Sequence, residues 1–165
     1  MKPLRFLTLV LVALLMGTSF AHVLELPAKM QYDGPLYVTL QKSLYVTWGP
    51  PNVGGFLEPA AILAVAALAF LNRKRRGLPL TTGALGALLL AFPVVFFLFV
   101  APANAAFRLA APEALPQGWE RFRETWEYGH ATRFVLHLTA FSLLALSVLR
   151  PSVPNPASHP PPERL

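Results

Sequence analysis

Four long apolar stretches organise the chain, and the few polar residues that interrupt them fall in a pattern. From Phe134 to Leu149 only His137, Thr139, Ser142 and Ser147 break an apolar run. With the amphipathic residues ahead of it, this run predicts a helix over about residues 117–149. The other stretches predict helices over about residues 6–26, 56–72 and 78–102, the last kinked at Pro93. Each has spanning or near-spanning length for a bilayer. The predicted fold is all-α: a four-helix transmembrane bundle within one membrane domain, residues 1–150.

The first loop has its own pattern. Tyr32-Asp-Gly-Pro35 signals a turn. From Leu36 to Trp48, helical spacing puts Leu36, Tyr37, Leu40, Leu44 and Trp48 on one side and Thr39, Lys42 and Ser43 on the other. This predicts a short amphipathic helix lying at the membrane interface in the first external loop, with a hairpin turning at residues 41–43 as the alternative. Residues 151–165 are proline-rich, and the expectation there is a disordered cytoplasmic tail. The first apolar stretch also admits a signal-peptide reading, with Ser19-Phe-Ala21 as the cleavage site. A retained helix is favoured, because residues 6–26 have spanning length and Thr18, His22 and Glu25 share one helical face.

Composition strengthens the membrane assignment. The 165 residues are 55% hydrophobic and only 13% charged, where a soluble domain carries about 25% charge. The net charge of +6 would suit a nucleic-acid binder, but the basic residues sit where topology needs them. With both termini cytoplasmic, the inner side holds Lys2, Arg5, Arg150, Arg164 and the run Arg73–Arg76 in a very short loop. That orientation predicts an integral protein of the cell inner or plasma membrane. The absence of cysteine excludes disulfides, thiolate metal sites and thiol catalysis.

The orientation converges the unusual polar residues on one end. Helix 1 runs outward to His22 and Glu25, helix 2 starts near Glu58, helix 3 ends at Asn104, and helix 4 starts with Glu127, His130 and Arg133. On helix 4, Trp119, Arg123, Trp126, His130, Arg133 and His137 form a stripe about 80° wide. Ionisable groups within a membrane cost about 2.5–3.5 kcal/mol each on insertion scales, so they face a partner or a cavity. The expectation is an outward-opening polar cavity rimmed by Tyr37, Tyr45, Trp48 and Trp126, with Arg133 neutralised by Glu25 or, second, by Glu58. The bland alternatives are a snorkelling Arg133, a capping Asn104, interface anchors at Trp119 and Trp126, and a His137 that only joins helices. His22, Glu25, Glu58, Glu127 and His130 also approximate the ligand inventory of a di-iron bundle. That metal set is a weak alternative: only one of its two motifs has the Glu-x-x-His order, and a second bridging carboxylate is missing. Haem held by a histidine is another alternative; no cofactor is expected. No phosphate loop, Ser-His-Asp spacing or nucleic-acid module is present.

Several of these runs resemble a known family. His22-Val-Leu-Glu25-Leu-Pro27-Ala-Lys29, Leu44-Tyr45 with Trp48, Pro102-Ala-Asn104 and Trp126-Glu-Tyr-Gly-His130-Ala-Thr-Arg133 are similar to motifs of the anthrone oxygenase-like proteins. The resemblance implies a small four-helix membrane protein, and members that name the family oxidise anthrones with O₂ and no evident cofactor. It implies catalytic roles for His130, Arg133 and Asn104, with Trp126 at a matching position. His22, Glu25, Trp48, Trp126 and His137 are the expected ligand-binding residues. The chemistry would be proton abstraction by His130, with Arg133 or Asn104 stabilising the oxyanion. The function expected is an oxidoreductase acting on a hydrophobic aromatic or isoprenoid small molecule. The alternatives are a non-catalytic accessory or assembly subunit and a small-molecule binder or transporter. Expected partners are membrane lipid, such a small molecule, and a membrane-protein partner or second copy, with no nucleic acid.

Overall fold

The computed structural model describes residues 2–49, 52–74 and 77–149. Arg75, Arg76 and the tail from Arg150 lie outside the described residues, and so does the expected disorder of residues 151–165. Among the described residues the chain is helical without strands, apart from an isolated bridge between Ala111 and Ala114. Its elements are α1 (Lys2–Lys29), α2 (Gly34–Ser43), a 3₁₀ turn (Tyr45–Thr47), α3 (Val53–Leu71), α4 (Leu78–Leu89), a π-helical segment (Leu90–Val100), α5 (Ala101–Leu109) and α6 (Trp119–Leu149). The run α4–π–α5 forms one helical span, Leu78–Leu109. It and α1, α3 and α6 are the four helices long and apolar enough to cross a membrane.

Local chemistry sets several boundaries. Asp33 caps α2, its carboxylate accepting from the Leu36 backbone N–H at 2.9 Å, with Pro35 in the first turn where its missing N–H costs nothing. Gly118 has φ 70°, a left-handed conformation that favours glycine, immediately before α6. The π segment contains Pro93, which lacks an N–H and crowds the carbonyl four residues back. Wider winding re-pairs the surrounding backbone, as in the Ala101 N–H donating to the Phe96 carbonyl five residues earlier. The expected simple kink is thus a π segment, and the span continues seven residues past 102, through Asn104. In the same way α1 passes through Pro27 and ends one turn beyond residue 26.

The four spans close a ring in which α1 packs on α6 and α3, and α4 packs on α3 and α6. Two apolar cores fill it. One joins Val12 and Leu15 to Ala61, Val65, Leu88, Ala140 and Leu144. The other lies under α2 and joins Tyr37, Val38, Val100, Ala103, Phe107 and Trp126. On α6 the residues from Gly129 to His137 lead from one core to the other. A Cβ built on Gly129 would stand 2.9 Å from Val100 Cγ2, so glycine lets α6 approach the end of the π segment. The side expected to be apolar divides: Tyr37 is buried, with Val38 and Gln41, whereas Leu36 and, just past the end of α2, Leu44 are exposed.

Candidate functional site

A buried polar layer occupies the bundle between the two cores. Its deepest member is His137 on α6, fully enclosed. His137 Nδ1 lies 2.8 Å from the Ser19 hydroxyl of α1, and its Nε2 lies 3.7 Å from the Glu58 carboxylate of α3. With the ring proton on Nε2, Ser19 donates to Nδ1, while Nε2 faces the carboxylate beyond hydrogen-bond reach. Arg133, one turn along α6, donates to Glu58 and holds its guanidinium 5.3 Å from the Phe96 ring of the π segment. The ion pair is almost completely buried on both sides. Arg133 is therefore a partnered interior charge rather than a snorkelling one, and its partner is Glu58 and not Glu25. Glu58 is likewise no terminal dipole charge; it sits inside α3 and faces the interior.

His130 comes next. The second arm of Arg133 approaches His130 Nδ1 at 3.3 Å. A guanidinium only donates, so this nitrogen must accept, and a neutral His130 carries its proton on Nε2. The His22 ring of α1 lies 4.1 Å from the His130 ring, centroid to centroid. Around the histidine pair stand Trp126 at 4.9 Å from His22, and Tyr45 and Trp48 each at 5.1 Å. His22 Nδ1 has no hydrogen-bond partner, and the nearest carboxylate oxygen is that of Glu25 at 3.8 Å. Behind Trp126, the Asn104 side chain accepts from the indole N–H at 2.7 Å. Asn104 is thus inside α5 rather than a C-cap, and it acts by orienting Trp126.

A second charged group lies under α2. Lys29, 2% exposed, bridges Glu25 at 3.3 Å and Glu127 at 3.0 Å, with the Tyr45 and Trp126 rings 4.8 and 4.6 Å from its ammonium. Tyr37 donates to Glu127 at 3.0 Å and accepts from Gln41. Tyr45 donates to Glu25. Burial pushes both phenols above the ordinary tyrosine range, and the Glu127 and Glu25 carboxylates add to it, so both remain donors. Lys42 and Arg123 complete the seal by donating to the carbonyls of Ala110 and Tyr32.

The structure gathers His22, Glu25, Glu58, Trp48, Trp126, His130, Arg133 and His137 into this layer and its aromatic roof. Sequence reasoning missed Ser19 and Lys29. Thr18, expected on the inward face, is exposed and bonds back to the Leu15 carbonyl, while its neighbour Ser19 points inward. Lys29 read as a loop residue because Pro27 looked like a helix end; its spacing of four from Glu25 and seven from His22 was the available signal. The alternative metal set of His22, Glu25, Glu58, Glu127 and His130 does not converge: Glu58 is held by Arg133 and Glu127 by Lys29. Among the described residues no three of His, Asp and Glu are grouped as a metal would require. Of the rings expected to rim an outward cavity, Tyr45, Trp48 and Trp126 pack on His22, and Tyr37 packs on Phe107 and Trp119. Two grooves lie between the π–α5 run and α6, on the outer surface. Comparison with family models, curated proteins and solved structures returned no match.

Proposed function

We propose that this chain is an integral protein of the cell inner or plasma membrane, with both termini cytoplasmic, that abstracts a C–H proton from a hydrophobic aromatic or isoprenoid molecule, whose carbanion forms a C–O bond to O₂ and takes the proton back on the outer oxygen as a hydroperoxide. The membrane bundle is supported by the four apolar helices and by the exposed Leu36, Leu44 and Val46, which suit an α2 lying in the headgroup zone. The orientation rests on the basic loop at Arg73–Arg76. Cysteines introduced at the exposed positions Thr39 and Glu120 should react with an impermeant reagent from outside, and one at Gly77 should not. Labelling of the Gly77 position from outside would reverse the orientation.

One observation carries the chemistry: the Arg133 contact to His130 Nδ1. It makes His130 a donor through Nε2, suited to an oxyanion rather than to proton abstraction. The base is then His22. Its Nδ1 lies 3.8 Å from the Glu25 carboxylate, and a neutral ring can take a proton through the nitrogen that carries the lone pair. Trp126, Tyr45 and Trp48 supply faces for a flat substrate. O₂ as the oxidant follows the resemblance to anthrone oxygenase-like proteins. Oxygen uptake by the protein in lipid nanodiscs, supplied with a fused-ring phenol bearing an acidic C–H, tests this reading; no uptake above that of empty nanodiscs, across a panel of such compounds, would sink it.

A second reading, a non-catalytic accessory or assembly subunit, is favoured by the close packing of the histidine pair and its aromatic neighbours, which leaves a substrate no room until the 3₁₀ turn lifts. It predicts a membrane-protein partner retained on gentle extraction.

A further inference from the structure

The outer faces of the π segment and α6 leave a groove whose chemistry changes along its length. Arg121 and Glu124 line one end, Gly129 and Thr132 the other, and Phe99 and Val95 form the facing wall. Arg121 to Thr132 is eleven residues of helix, about 16 Å. A second hollow, past Phe99 to Gln117, shares Arg121 and Thr125 with the first and extends it beyond the charged end. Arg121 and Glu124 have opposite charge, stand three residues apart, and form an ion pair neither with each other nor with another described residue. In the orientation proposed above, on which this inference rests, the charged end is at headgroup level and the Val95–Thr132 end lies in hydrocarbon.

We propose that this groove holds one phospholipid of the outer leaflet whose headgroup carries both a phosphate and a primary ammonium. The phosphate sits on Arg121, whose guanidinium matches it with paired donors. The ammonium donates to Glu124. One acyl chain lies along Phe99 and Val95 toward Thr132. The complementarity is specific. A headgroup with phosphate alone leaves Glu124 facing negative charge, and a trimethylammonium cannot donate a hydrogen bond.

The test is thermal unfolding of the full chain in detergent with added phosphatidylethanolamine, phosphatidylcholine or phosphatidylglycerol of identical acyl chains. Phosphatidylethanolamine should raise the midpoint by several degrees more than either of the others. Glu124→Gln should erase its margin over phosphatidylglycerol, and Arg121→Gln should weaken the response to all three. Thr132→Trp, which fills the apolar end from an exposed position, should abolish the response. Equal shifts for the three lipids, or a margin untouched by Glu124→Gln and Arg121→Gln, would overturn the proposal and leave ordinary surface lipid. Cysteine labelling reads the orientation independently, so a wrong orientation and a wrong headgroup are distinguishable.

Discussion

Glu58→Leu will destabilise the folded chain by about 3–5 kcal/mol, the cost of leaving the buried Arg133 guanidinium without its carboxylate. Both partners are nearly inaccessible, so water cannot replace the lost contact. Arg133→Leu alone should cost a similar amount, because it leaves a buried carboxylate. The double variant Glu58→Leu, Arg133→Leu should recover most of the loss, since two apolar side chains of suitable size tolerate the site better than one uncompensated charge. Thermal unfolding of the four proteins in one lipid composition measures this. Losses that simply add would mean that the two residues do not interact.

His22→Gln should lower oxygen uptake by about 10²–10⁴-fold, the usual contribution of a positioned general base. His130→Gln should cost far less. A carboxamide keeps an N–H donor of similar reach, so within about tenfold of the parent is expected. His130→Leu removes the donor and should lose about 10²–10³-fold, as for an oxyanion-stabilising group. The contrast assigns the roles: a His130→Gln variant as inactive as His22→Gln, with normal unfolding, would return the base to His130. The same three variants weigh the non-catalytic reading, which predicts changes in stability or partner retention and none in chemistry per folded molecule.

Much of the architecture was legible in the sequence because apolar length and helical spacing report burial directly. The four spans were visible as runs, and the stripe from Trp126 to His137 does face the interior. Pairing was less legible. Glu25 and Glu58 both lie near the same end of the bundle, and spacing says nothing about relative depth between helices. The continuation of α1 through Pro27 settles it, since it brings Lys29 one turn from Glu25 and occupies that carboxylate, leaving Glu58 for Arg133. Pro27 and Pro102 read as breaks, yet both are carried inside helical spans, where neighbouring helices and the π winding accommodate them. The division of labour proposed for His22 and His130 has no signal at the sequence level. It depends on which nitrogen of His130 meets Arg133, a contact decided by side-chain rotamers.

That contact carries the chemical account, and nitrogen NMR of histidine-labelled protein in lipid reads it directly, with the His130 signals assigned by their loss in His130→Gln. The account predicts a neutral His130 with its proton on Nε2 and an unprotonated, hydrogen-bond-accepting Nδ1. A His130 protonated on Nδ1, whether neutral or imidazolium, would contradict it.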